Sequence, residues 1–176
     1  MNILSIGASS SSSSINQQFA DYTAKQSASA NVTSFLLGSL TLPIYSEDEE
    51  KKNGIPADAQ SFLEAIRESD GIIISLAEHN GSYTAFFKNL YDWTSRIEQS
   101  LWSDKPMLLL STSPGPRGGA TVLATGKATF PRMGAKVAAS FSLPSFYDNF
   151  SAEGIADRDL SAELNLALEK FASVLS

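Results

Sequence analysis

The chain has 176 residues, 43% of them hydrophobic, which suits one compact domain with a substantial core. It carries a formal net charge of -6, no cysteine and a single histidine. This excludes disulfides, thiolate chemistry and Cys- or multi-His metal sites, and argues against nucleic acid or an anionic membrane as partner.

Apolar runs alternate with amphipathic segments along the chain. The first strand is expected at Asn2 to Ile6, followed by a helix from about Ile15 to Ser27 and a strand from about Asn31 to Leu37. A polar stretch containing Glu47 to Glu50 and Lys51-Lys52 reads as a solvated loop. Beyond Pro56 a helix buries Phe62, Leu63 and Ile66. Gly71 to Ser75 is nearly all branched aliphatic, as a strand buried on both faces should be. The next helix, about Thr84 to Glu98, carries Phe86, Leu90, Trp93 and Ile97 in one stripe and Phe87 and Tyr91 in a second. One stripe is expected to face the sheet and the other a partner subunit.

A fourth strand follows at about Pro106 to Thr112, a helix at about Gly119 to Phe130 and a fifth strand at about Lys136 to Ser142. The last helix, about Arg158 to Leu175, aligns Leu160, Leu164, Leu168, Phe171 and Leu175. Phe146, Tyr147 and Phe150 lie in a polar loop before it, to pack on that helix or on a neighbouring subunit near its ligand. Five strands and five helices in strict alternation predict a doubly wound parallel sheet with helices on both faces. The class is α/β, a flavodoxin-like three-layer sandwich of strand order 2-1-3-4-5, and residues 1–176 form one domain. No stretch approaches the roughly 20 apolar residues that span a bilayer, so a cytoplasmic protein is expected.

In such a sheet, ligands bind beyond the carboxyl ends of the strands, where strand order reverses. Three loops there hold the most unusual residues. The first is Gly7-Ala8 followed by six serines, Ser9 to Ser14, then Ile15-Asn16. Small residues admit a phosphate to the backbone, hydroxyls donate without charge, and the helix N-terminus adds free N–H groups. A serine run is elsewhere a flexible linker or a plain N-cap, but a linker between a buried strand and its crossover helix would be out of place. The third loop, Glu78-His79-Asn80-Gly81-Ser82-Tyr83, holds an Asn-Gly pair suited to a tight turn that exposes amides to a planar ring. The fourth, Ser113-Pro114-Gly115-Pro116-Arg117-Gly118-Gly119, is a backbone-rich turn whose arginine either pairs with an anion or stays solvated.

The block from Glu78 to Tyr83 with Lys88-Asn89 and Asp92-Trp93, and the fourth loop, resemble the NADPH-dependent FMN reductase family. Gly7 through Asn16 is similar to that family's phosphate loop, and the likeness runs from about Met1 to Ser142. The resemblance implies that Ser9, Ser10, Ser14 and Asn16 hold the FMN phosphate. It further implies that Glu78, His79, Asn80, Gly81 and Ser82 line the isoalloxazine. Ser113, Pro114, Gly115, Arg117 and Gly118 would close over its other side. It implies an oxidoreductase passing hydride from NADPH or NADH through FMN to a small acceptor such as a quinone, azo compound, metal oxyanion or free flavin. It implies a homodimer or homotetramer through helix 84–98. An electron carrier like flavodoxin, or a flavin-binding module without reductase activity, are the alternatives. Two departures stand out. Serine replaces the usual phosphate-loop arginine, which is expected to weaken FMN binding unless hydroxyls and amides compensate. His79 stands where a tyrosine is common and adds an imidazole, a candidate for catalysis. Flavin hydride transfer itself needs no protein acid or base.

Overall fold

In the computed structural model, residues 1–27 and 31–175 are described. The 1–176 domain expected above therefore includes four residues, 28–30 and 176, that lie outside them. In chain order the elements are β1 (Asn2–Gly7), α1 (Ile15–Lys25), β2 (Asn31–Phe35), α2 (Glu47–Asn53), α3 (Ala57–Glu68) and β3 (Gly71–Leu76). A short hairpin of β4 (Glu78–His79) and β5 (Ser82–Tyr83) precedes α4 (Ala85–Ile97), β6 (Pro106–Thr112), α5 (Ala120–Thr129) and β7 (Lys136–Leu143). The chain then forms α6 (Phe146–Asn149), a second hairpin of β8 (Phe150–Ser151) and β9 (Gly154–Ile155), and α7 (Arg158–Ala172). Single 3-10 turns lie at Leu37–Ser39 and Phe130–Met133.

The main sheet is parallel, as the alternation of segments predicts, and its order β2-β1-β3-β6-β7 is the expected 2-1-3-4-5. Strand β3 is buried along its whole length, which explains its unbroken aliphatic composition. Register aligns the strand ends: Gly7 pairs with Ser75, Leu76 with Ser111, and Thr112 with Leu143. The loops after β1, β3 and β6 therefore leave the sheet at one level. Helices α3, α4 and α5 cover one face around Phe62, Phe87 and Val122, and α1 and α7 cover the other around Phe19 and Phe171. Burying each such side chain contributes about 1.5–3 kcal/mol.

Three expectations need correction. The stretch from Phe146 to Phe150, expected as a loop, forms α6 and the start of β8. The Glu47–Lys52 stretch is a helix, α2, capped by Ser46, with acidic residues in its first turn and lysines in its last. No residue of α2 is buried, so no apolar period announced it; caps and the helix dipole shape it instead. The second apolar stripe of α4 does not face a partner. Phe87 is 0% exposed and Tyr91 8%, packed in an aromatic wedge with Tyr83, Trp102 and Phe130. The physical reason is local: the turn after α4 and the 3-10 turn after α5 fold back over that side of the helix. Trp93 is covered in turn by Tyr45, edge to face at 5.0 Å.

The wedge is crowded enough to leave two polar atoms without partners among the described residues, the Tyr91 hydroxyl and the Trp102 indole N–H. Burial pushes the Tyr91 phenol up to about 12.

Candidate functional site

The loops after β1, β3 and β6 enclose a cleft of about 250 Å³ at the carboxyl edge of the sheet. Ser9, Ser11, Ser13 and Ser14 line one end, and Ala77 to His79 face them from the third loop. Thr112 to Pro114 add the fourth loop, and Tyr147 enters from α6. The cleft therefore stands between β1 and β3, where strand order reverses.

The first loop turns because Gly7 allows it: a Cβ at Gly7 would collide with the backbone nitrogen of Gln17. Ser14 caps α1, its hydroxyl accepting from Gln17 N at 3.1 Å. The first-turn amides of Ile15 and Asn16 have no acceptor within the helix, as at any helix start. Serine hydroxyls and these amides form a donor set without a cation, since no lysine or arginine lines the cleft among the described residues. The internal hydrogen bonds of the loop are long, Ser11 N to Ser9 Oγ at 3.2 Å and Ser13 N to Ser11 Oγ at 3.4 Å, so these hydroxyls are only loosely committed.

Asn16 lines the cleft, and its side chain makes three hydrogen bonds to the sheet. Its Oδ1 accepts from Ser75 Oγ at 2.7 Å and from Thr112 N at 3.2 Å, and its Nδ2 donates to Thr112 O at 3.3 Å. The side chain thus cross-links α1 to β3 and β6, which leaves the Asn16 backbone amide and one Nδ2 hydrogen for an anion. Glu78 is similarly occupied. Helix α5 begins at Gly119, which has no side chain to cap it, and Val122 N donates to Glu78 Oε2 at 3.0 Å. Thr84 completes the linkage: its hydroxyl caps Phe87 N at 3.2 Å and donates to Ala8 O at 2.9 Å.

Asn80 and Gly81 turn the β4–β5 hairpin with φ of 52° and 75°, the two positive values a type I′ turn requires. The turn carries His79 into the cleft wall, exposed to solvent. Tyr147, which the sequence placed on the last helix or on a neighbouring subunit near its ligand, lines the cleft of its own chain; it is 71% exposed and its neighbours are tied to the fourth loop. Ser145 N donates to Gly115 O at 2.9 Å and Phe146 N to Ser113 O at 3.0 Å, so α6 is laced to the fourth loop. An exposed tyrosine in a polar segment gives no sequence signal of that placement.

Of the residues singled out by sequence, the cleft brings together Ser9, Ser14, Asn16, Glu78, His79, Ser113 and Pro114. Asn80, Gly81, Ser82, Gly115, Arg117 and Gly118 are not part of this lining, and Ser10 lines the cavity on the other side of the serine loop. Arg117 is exposed, its guanidinium donating to Thr121 Oγ1 at 2.9 Å. Gly118, with φ of 58°, packs so tightly that a Cβ there would meet Leu143 O at 2.9 Å.

A family model described as NADPH-dependent FMN reductase matches residues 1–148. The chain belongs to the NADPH-dependent FMN reductase family. A quinone reductase of Escherichia coli is 37% identical over 79 residues, 45% of this chain and 42% of that protein. A quinone reductase of Pseudomonas putida is 44% identical over 80 residues, 44% of this chain and 42% of its own. These matches therefore span less than half the length of the relatives. Among solved structures, a flavoenzyme NAD(P)H:(acceptor) oxidoreductase from Paracoccus denitrificans superposes with a TM-score of 0.78 at 22% identity, over 99% of this chain and 96% of that one. That likeness shows a shared fold. No described helix is long and apolar enough to cross a membrane, and no described cluster of His, Cys, Asp or Glu is arranged to hold a metal.

Proposed function

We propose that this chain is an FMN-dependent NAD(P)H oxidoreductase acting on a small acceptor of the quinone or azo class. The observation that carries the reading is the cleft: hydroxyl and amide donors at one end, backbone and His79 at the other, placed at the reversal of strand order. That donor set fits a phosphate-bearing planar cofactor without needing a cation. When bound, FMN supplies hydride acceptance and donation, so the protein contributes binding and orientation.

Within that reading, the hydroxyls of Ser9 and Ser14, with Ser10 at the rim, hold the phosphate together with the Ile15 and Asn16 amides. Glu78, rigid because it caps α5, presents the third-loop backbone to the ring. Asn80, Gly81 and Ser82 keep that backbone in a tight turn. Ser113, Pro114 and Gly115 form the opposing wall, with Gly118 packing behind them and Arg117 at the outer edge. His79 stands at the mouth, where an acceptor enters, and Tyr147 shields the phosphate side. The name quinone reductase on the E. coli relative favours an enzyme over an electron carrier. The whole chain acts as one cytoplasmic domain in this proposal. Homodimer or homotetramer formation through α4 would use its outward positions, such as Ala85, Lys88 and Arg96, because Phe87 and Tyr91 are buried within the chain.

The test is a titration of apo protein with FMN and riboflavin, followed by flavin fluorescence and then by NAD(P)H oxidation with menadione. Saturable FMN binding tighter than riboflavin, with acceptor-dependent turnover, is expected. Equal binding of the two flavins would show that the serine loop does not read phosphate and would sink the reading.

A further inference from the structure

A second cavity, of about 370 Å³, lies on the other side of the serine loop, between it and the chain leaving β2. Ser9 to Ser12 form one wall and Leu36 to Ser39 the other, with Gln17 and Asp21 of α1 between them. The walls touch: a Cβ at Gly38 would meet Ser10 O at 2.8 Å, so the shape is set by backbone packing. Asp21 Oδ1 accepts from Ser5 Oγ at 2.6 Å, Ser34 Oγ at 2.7 Å and Gln17 Nε2 at 2.9 Å. Its Oδ2 has no donor among the described residues. Leu36, 53% exposed, presents an apolar surface beside it.

A third cavity, of about 350 Å³, meets this one at Ser9 and Ser10 and meets the FMN cleft at Ser9 and His79. Leu42, Ile44 and Phe86 give it apolar walls. The loop bearing Leu42 and Ile44 is clamped to α4, since Asn89 Nδ2 and Trp93 Nε1 both donate to Pro43 O, at 2.9 and 2.8 Å. Tyr45 N donates to Asn89 Oδ1 at 2.8 Å. The two cavities thus form one groove beside Ser9 and Ser10, running from Asp21 to His79. Among the described residues, no lysine or arginine lines it.

We propose that this groove seats the electron donor, with its adenosine ribose against Asp21 and its nicotinamide end beside His79 and Phe86, and that it selects the donor without a 2′-phosphate. The proposal rests on the oxidoreductase reading above. A carboxylate accepts hydrogen bonds from a ribose diol, the role an acidic residue plays in other dinucleotide sites on α/β sheets. A 2′-phosphate brings a charge of about -1.5 to -2 at neutral pH. Here it would face a carboxylate with no cation to compensate, in a chain whose formal net charge is -6. Leu36 supplies an apolar contact for an adenine.

Calorimetric titration of the FMN-loaded protein with ADP-ribose and with its 2′-phosphate tests the proposal. ADP-ribose should bind about tenfold tighter than its 2′-phosphate, the difference expected for one charge-assisted hydrogen bond. Asp21→Asn keeps an oxygen for the Ser5 and Ser34 hydroxyls and removes the charge. It should weaken ADP-ribose several-fold, erase the preference and lower the ratio of NADH to NADPH kcat/KM, with FMN affinity unchanged. Leu36→Glu, on the surface, should weaken ADP-ribose while leaving the melting temperature unaltered. A preference for the phosphorylated probe, or wild-type binding by both variants, would overturn the proposal. FMN binding without any ADP-ribose binding sinks this proposal alone, whereas failure of wild-type protein to bind FMN sinks the parent reading with it.

Discussion

The aromatic wedge under α4 and the serine loop after β1 both contain polar groups that the protein does not satisfy, and they differ in what surrounds those groups. In the wedge, the Tyr91 hydroxyl and Trp102 N–H are shut among rings, so the missing bonds cost stability. In the loop, Ser11, Ser12 and Ser13 are exposed, so water satisfies them until a ligand does. Unmet hydrogen bonding is a burden in a dry core and a binding resource at a wet edge.

The largest effect is expected from Phe87→Glu, which places a charge in the wedge at a position 0% exposed. A cost above about 4 kcal/mol should abolish the cooperative unfolding transition seen by circular dichroism. A folded variant altered only in its sedimentation would restore Phe87 to a subunit interface and break the comparison. Next comes Asn16→Ala, which strips three hydrogen bonds from the buried junction beneath the loop. Urea unfolding should show a loss of about 2–4 kcal/mol, because Ser75 and Thr112 are left unpaired. A loss under about 1 kcal/mol would mean the junction is not dry.

Ser14→Ala should act twice. Removing the N-cap costs about 1 kcal/mol of stability, and losing a phosphate donor weakens FMN by about 1–2 kcal/mol, or roughly 5- to 30-fold. Unchanged FMN affinity would leave Ser14 as a cap only. Smallest, and of opposite sign, is Tyr91→Phe. Deleting the orphaned hydroxyl should raise stability by up to about 1 kcal/mol. The pH dependence sharpens this case. Burial raises the folded-state value from 10.0 to about 12, so the stabilisation of the protonated form is complete below pH 10 and is lost as pH climbs towards 12. Tyr91→Phe should flatten that alkaline decline in a pH series of melts, with Tyr83, also raised by burial, accounting for what remains.

How much of this was legible in the sequence varies with the range of the interaction. The parallel, doubly wound class followed from alternation, whereas the 2-1-3-4-5 order rested on the flavodoxin-like topology and not on alternation. The β4–β5 turn followed from Asn80-Gly81, because only certain residues tolerate two positive φ values in succession. The Ser14 cap lies within three residues of what it caps. The other decisive contacts join distant positions: Asn16 to Thr112 across 96 residues, and Glu78 to Val122 across 44. Both residues were singled out as ligand contacts; they line the cleft, and their side chains also tie the scaffold together.

By itself, then, the sequence determined the class of fold, the loops that meet at the carboxyl edge and the chemistry those loops carry, since periodicity, caps and turn residues act over a few positions. Only the tertiary structure decided which serines line the cleft, that Tyr147 joins them, that Phe87 and Tyr91 are covered by Trp102 and Phe130, and that a groove runs from Asp21 to His79. Periodicity names the apolar faces of a helix but not what covers them, and a cavity exists only where separate segments are packed side by side.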